Sequence, residues 1–184
     1  MADLITLEEL QSYMTRSGAA APSDTTLLKA LIARTSEAVA GYLQRDLISA
    51  ARTQVSSGRG GYTMPFDQWP ATAVTLVLVN GQAVPPAPDD IQPGYVFDEI
   101  ALYLRGYTFA RGVMNVRLVY TAGYAEVPQD VKQAVCELVA LRFKERDWIG
   151  VSSKTLAGET VSYTQTEMRG SAKKLLDRYR RVAR

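Results

Sequence analysis

Histidine is absent from this chain of 184 residues, and cysteine occurs once, at Cys136. The first absence removes Ser-His and Cys-His nucleophile pairs together with histidine ligation of metals. The second removes an internal disulfide and any multi-cysteine zinc site. Long apolar runs are also missing. No stretch approaches the roughly 18 residues that span a bilayer, and Met1-Ala2-Asp3-Leu4 lacks the basic start and apolar run of a signal peptide. A soluble intracellular product with no membrane partner is expected. Compositional bias is lacking as well: 47% hydrophobic and 22% charged residues are ordinary values that support a real packed core. The length favours one domain, or one domain plus an arm.

The remaining candidates for chemistry are weak. Ser57-Gly58-Arg59-Gly60-Gly61 is glycine-rich but has no Gly-Lys-Ser/Thr to cradle phosphates, so it reads as a hairpin or loop. The neighbouring acids Glu8-Glu9, Asp89-Asp90 and Asp98-Glu99 point in different directions and lack the spacing of a calcium loop, which suits capping and solvation. Cys136 falls within the apolar stripe of its segment, where a buried, inert thiol is the expectation. No catalytic, cofactor-binding or metal-ligating residue is assigned, no cofactor is implied, and an enzyme would need a catalytic group that the chain does not offer.

The grammar of the chain is helical at both ends and β-rich between them. Thr6-Leu7-Glu8-Glu9 has the spacing of a capping box and predicts a helix to about Met14. Ser23-Asp24-Thr25 can cap a second helix, whose Leu27, Leu28, Leu31, Ile32, Val39, Tyr42 and Leu43 form one wide apolar stripe. From Thr53 short β-rich runs alternate with Gly and Pro. Val74 to Val79 followed by Asn80-Gly81 predicts a hairpin with a type I′ turn. Pro85 to Asp90 must be loop, and further strands are expected at Tyr95–Phe97, Ile100–Leu104 and Val113–Tyr120. In the last, Met114, Val116, Leu118 and Tyr120 define a fully apolar face. Helix returns at Val127-Pro128-Gln129-Asp130, with Pro128 at its first position, and runs to about Asp147. Residues 150–170 read as an extended or mobile segment containing one strand near Thr160–Thr164. Ser171–Arg184 then forms an amphipathic helix with a narrow apolar edge.

Charge is divided unevenly along the chain. Residues 169–184 hold seven basic side chains against Asp177, a local surplus of six, whereas the other 168 residues carry a net −4. A basic tail on a mildly acidic body suits either phosphates or an acidic protein groove. Phosphate contact would be non-specific and steeply salt dependent. It would leave Leu175, Leu176 and Tyr179 without a use, while docking on an acidic, partly apolar groove uses them all. Both readings stay open on this feature, the second favoured.

Three stretches carry a resemblance. Thr6-Leu7-Glu8-Glu9-Leu10-Gln11-Ser12-Tyr13 and the following Leu27-Leu28-Lys29-Ala30-Leu31-Ile32, then Tyr120-Thr121-Ala122-Gly123-Tyr124-Ala125-Glu126-Val127-Pro128-Gln129-Asp130-Val131, then Gly150 to Thr164 with Leu175-Leu176 and Tyr179-Arg180, resemble the phage head-tail connector (adaptor) family. The resemblance implies a structural virion protein of the neck, made in the host cytoplasm and working as a ring of about twelve copies beneath the portal. The ring would extend the channel through which genomic double-stranded DNA passes without sequence-specific contact, and would receive the stopper or tail-completion protein. The C-terminal arm, with Lys173, Lys174, Leu175, Leu176, Arg178, Tyr179, Arg180 and Arg181, would bind the portal. Core or subunit packing is expected at Leu28, Leu31, Ile32, Tyr124, Val135 and Leu138. The segment from about Thr53 to Gly112 is absent from smaller, all-helical members. The fold class expected is α+β: a core of three to four helices over residues 1–149, a small antiparallel sheet inserted at about 53–120, and an arm over 150–184 ending in a helix. The alternative is a non-specific DNA-binding virion or regulatory protein that grips the duplex with its basic tail.

Overall fold

A computed structural model describes residues 3–17, 25–89, 91–145, 153–156, 159–162 and 170–180. It is an α+β fold whose chain divides into two compact units, Met1–Arg45 with Val127–Arg184, and Asp46–Glu126. No helix among the described residues is long and apolar enough to cross a membrane.

The first unit is helical and draws on both ends of the chain. Helix α1 (Leu7–Arg16) opens with the capping box: the Thr6 hydroxyl accepts from the Glu9 N–H at 3.2 Å and the Glu9 carboxylate accepts from the Thr6 N–H at 2.8 Å. It buries Leu10 and Met14, one turn apart on the same face. Helix α2 (Thr25–Leu43) buries Leu28, Ile32, Val39 and Leu43, together with Thr35 and Ser36. These two polar side chains are bonded, because Ser36 accepts from the Leu4 N–H at 3.1 Å and Thr35 accepts from the Arg142 guanidinium at 2.9 Å. Helix α3 (Gln129–Glu145) follows Pro128, whose carbonyl accepts from the N–H groups of Val131 and Lys132. Pro128 thus sits one residue ahead of the helix rather than at its first position. Val131, Ala134, Val135, Leu138 and Val139 form its buried face. Two short strands, β8 (Ser153–Leu156) and β9 (Glu159–Ser162), pair antiparallel, and helix α4 (Gly170–Asp177) gives way to a turn at residues 178–179, short of the helix expected over Ser171–Arg184, of which residues 181–184 lie outside the described residues. Tyr163 and Thr164, expected in the same strand, lie outside the described residues.

The second unit has two antiparallel sheets where the spacing of turns suggested one. β1 (Ala50–Ser56), β3 (Ala71–Val79), β4 (Gln82–Ala83) and β7 (Val116–Ala122) make a four-stranded sheet in the order β1-β7-β3-β4. β2 (Thr63–Pro65), β5 (Gly94–Phe97) and β6 (Ala101–Arg105) make a three-stranded sheet in the order β2-β6-β5. Both sheets feed one apolar cluster, in which Val77, Val116, Leu118 and Tyr120 from the first meet Met64, Tyr95, Leu102 and Leu104 from the second. Tyr120 stacks on Phe66 with centroids 4.5 Å apart, and its buried hydroxyl accepts from the Gln68 N–H at 3.1 Å.

Turn chemistry sets the register. Asn80 and Gly81 have φ of 52° and 78°, so the two-residue turn between β3 and β4 has the positive φ pair that a type I′ hairpin requires. The strand expected from Val113 instead begins at Val116. Met114 has φ of 50° and is exposed, which takes it off the apolar face that its alternation with Val116 suggested.

At the opposite end of the sheet Gly123 has φ of 114°, and a Cβ there would lie 2.6 Å from the Ile48 carbonyl. The Gly123→Ala substitution is expected to destabilise the fold by about 1–3 kcal/mol in urea denaturation, because strain and clash act together. Gly61→Ala, at a site with nothing within 4 Å and no positive φ, is expected to shift stability by less than about 0.5 kcal/mol.

Candidate functional site

The basic C-terminal helix is seated on its own subunit. α4 packs against α3 and α2, with Ala172 and Leu176 buried and Leu175 and Tyr179 half-buried. Polar contacts run along the seat. The Ser171 hydroxyl donates to Glu137 at 3.0 Å, Arg178 pairs with Asp130 at 3.4 Å, and the Tyr42 hydroxyl donates to Asp177. Arg180 lies over the Tyr42 ring at 5.2 Å, a cation–π distance. The Tyr42 phenol is raised above its usual range, first by its bond to Asp177.

This arrangement separates the residues that the arm reading grouped together. Leu176, expected as an apolar anchor for a partner, is fully buried in the subunit's own core. Arg178 contacts Asp130 and Arg180 lies over Tyr42, yet both are exposed, as are Lys173 and Lys174. Arg181 lies outside the described residues. Among the packing residues, Leu28, Ile32, Val135 and Leu138 are buried, and Leu31 is half-buried. Tyr124 is also half-buried and belongs to the β unit, where its N–H donates to Leu47 at 2.7 Å.

A second feature of the helical unit was not legible in the sequence. α1 and α3 flank an open cleft of about 930 Å³, lined among others by Glu8, Glu9, Tyr13, Arg16, Lys132 and Cys136. Lys132 donates to Glu9 at 2.9 Å across it, so Glu9 closes the capping box and an ion pair at once. That bond to Lys132 is the first reason why the Glu9 carboxyl is held below its ordinary value of 4.5. Glu9 and Lys132 are far apart in sequence, and only the packing of α1 on α3 brings them together. Burial pushes the Cys136 thiol up to about 11, with Glu9 and Glu137 adding to the rise. Among the described residues no three His, Cys, Asp or Glu side chains gather as a metal site.

The chain matches the family model described as "Head completion protein" over residues 3–182. It is also similar to solved neck structures. One is a chain in the neck of an empty GTA particle computed with C6 symmetry, at 18% identity and a TM-score of 0.63, covering 98% of this chain and 91% of that one. A second, in the virion of a native gene transfer agent (GTA) particle, has 20% identity and a TM-score of 0.61 over 98% and 91% of the two chains. A third, in the neck of a native GTA particle computed with C12 symmetry, has 16% identity and a TM-score of 0.56 over 99% and 95%. These likenesses establish a shared fold. No curated protein matches the chain significantly by sequence.

Two outcomes follow from the geometry of the cleft. The Cys136 thiol, folded, is expected to react with a disulfide reagent at pH 8 at least about a hundredfold more slowly than in urea, because so little of it is thiolate. Since the Glu9 carboxyl is depressed in the folded state, its contribution to stability is present above pH 4.5 and lost as pH falls through its folded value. The stability gap between wild type and Glu9→Gln, measured by urea denaturation, should therefore close on acidification from pH 6 to pH 3.

Proposed function

Because the chain belongs to the head completion protein family, and is therefore a structural protein of the virion at the connection between head and tail, we propose that it acts as one subunit of a ring seated on the portal. The ring would extend the DNA channel and give the stopper or tail-completion protein a platform. The family match across nearly the whole chain carries this reading. The C6 and C12 symmetries under which the similar neck particles were computed support assembly in multiples of six. Its work is assembly rather than catalysis.

Portal binding is assigned to the exposed side of α4. Lys173 and Lys174 are free to steer towards acidic portal groups, with Leu175 and Tyr179 supplying apolar contact at the margin. Leu176 acts indirectly, since its burial holds α4 on α3 and so presents the two lysines from a fixed support. Pre-organisation of this kind lowers the ordering cost of docking, about 1–2 kcal/mol for each backbone residue that is already fixed. The mildly acidic remainder of the chain, at −4, suits a channel wall that DNA passes without sticking.

The test is co-sedimentation with the portal ring of the same virion. Removing α4 would uncover the apolar seat of Leu176, so charge reversal is the cleaner perturbation. The Lys173→Glu, Lys174→Glu double variant should lose at least about tenfold in portal affinity at low salt while its melting temperature stays within about 2 °C of wild type. Undiminished binding would remove α4 as the portal contact, and absence of binding by wild type would remove the ring reading. Binding to a duplex that weakens steeply between low and physiological salt, without portal affinity, would favour the DNA-binding alternative.

A further inference from the structure

The β unit carries two unlike exposed surfaces at its opposite ends. One is a tip beyond the Ser56–Val116 end of the β1–β7 pair, built from residues 57–62, the Asn80-Gly81 turn and residues 106–115. Asn115 ties these pieces together. Its Nδ2 donates to the Asn80 side chain and to the Ala110 carbonyl, and its Oδ1 accepts from the Gly58 N–H, each at 2.8 Å. The tip displays Val113, 88% exposed, and Met114, 66% exposed, with Tyr62 and Tyr107 also open to solvent. Met114 is held at φ of 50°, where a residue other than Gly, Asn or Asp is uncommon. Arg59 and Arg111 are exposed in the same tip, and none of its residues is acidic.

The other surface is the turn between β5 and β6. The Glu99 carbonyl accepts from the Ala71 N–H at 2.9 Å, and Ala71 lies opposite Ala122. The turn is thus fixed at the start of β3, whereas Asn80-Gly81 follows its end. The Asp98 carboxylate accepts from the Ile100 and Ala101 N–H groups at 2.8 and 2.7 Å, and from the Tyr103 hydroxyl at 2.8 Å. Ile100 is 57% exposed, and Phe97 and Tyr103 are open to solvent as well. Asp98 and Glu99 are both exposed, and residues 97–103 include no Lys or Arg. Among the described residues neither these two acids nor Arg59 and Arg111 take part in an ion pair.

We propose that the tip of one copy docks on the β5–β6 turn of the next copy, setting Val113 and Met114 against Phe97, Ile100 and Tyr103, and Arg59 and Arg111 against Asp98 and Glu99. The proposal rests on the ring reading and assigns a contact between neighbouring subunits, distinct from α4. Each surface supplies what the other lacks: two arginines and no acid on one, two carboxylates and no base on the other, with exposed apolar side chains on both. Unlike, complementary surfaces at opposite ends of one unit join copies head to tail, and such joints close into a ring when the rotation between neighbours fits. Tip against tip would set arginine against arginine. Ile91 is exposed too, but there the Arg105 guanidinium donates to the Asp89 carbonyl at 3.2 Å, so a cation already accompanies the acid.

A photoreactive benzophenone side chain at position 113 of the full-length chain, with one at position 91 as control, tests this in assembling particles. The expected result is a crosslink from position 113, and not from 91, to a peptide of another copy that contains residues 97–103. The Arg59→Glu, Arg111→Glu variant should lower that yield about tenfold with its melting temperature within about 2 °C of wild type, and adding Glu99→Lys should recover at least about threefold. Glu99 is chosen over Asp98, whose carboxylate holds the turn together. An unchanged yield, or a loss without recovery, overturns the pairing of charges. A ring in particles whose position 113 crosslinks to another part of a copy, to a different protein, to DNA or to nothing overturns this contact and leaves the ring reading intact. A chain found in particles only as isolated copies, or not at all, overturns both.

Discussion

The helical unit can close only if the chain that leaves it after Arg45 returns beside its point of departure at Val127. That constraint is met inside the β unit by a pinch of backbone bonds. The Ser49 N–H donates to Tyr124 at 3.0 Å, the Tyr124 N–H donates to Leu47 at 2.7 Å, and the Gly123 N–H donates to Pro70 at 2.9 Å. Ile48 and Tyr124 form a parallel bridge at the same place. With its two ends held together, residues 46–126 behave as a closed insertion. The entropy of bringing helices from the two ends of the chain together is then that of a short connection rather than a long one. Gly123 is what allows so close an approach, since any side chain there would meet the Ile48 carbonyl.

Once the ends are joined, the helical unit is assembled from contacts distant in sequence. Leu4 bonds to Ser36, Thr35 to Arg142, Glu9 to Lys132 and Tyr42 to Asp177. These tie α1, α2, α3 and α4 into one body whose apolar centre includes Leu10, Leu28, Val135 and Leu176. The basic helix is therefore part of the fold. Its Leu176 is consumed internally, Leu175 and Tyr179 are half-buried, and Lys173 and Lys174 stay exposed.

Much of the local structure was legible from residues. The Thr6–Glu9 box, the stripe of α2, the Asn80-Gly81 turn, the buried face of α3 and the burial of Cys136 all depend on neighbours within a few positions, or on a periodicity that the chain displays directly. The strand expected from Val113 fails for a tertiary reason. Alternation favours starting it there, but the Asn115 side chain bonds three loops together and holds Met114 at positive φ. The division into two sheets was equally invisible, because short strands with similar spacing carry no mark of which neighbour they pair with.

What the sequence determined by itself is chemistry and local form. A chain with no histidine and a single cysteine can form no Ser-His or Cys-His pair, no histidine-ligated metal site and no multi-cysteine zinc site. Its charge runs from a mildly acidic body to a basic end, and its helices and turns follow from periodicity and capping. What only tertiary structure decided is which of those groups remain available. Leu176 was withdrawn into the core, whereas Lys173 and Lys174 were left outside, as were Arg178 and Arg180 despite their contacts with Asp130 and Tyr42. Val113 and Met114, which periodicity assigned to a strand, became an exposed tip. The reason is general: exposure belongs to a packed arrangement, set by the neighbours that long-range contacts bring, and no local pattern contains those neighbours.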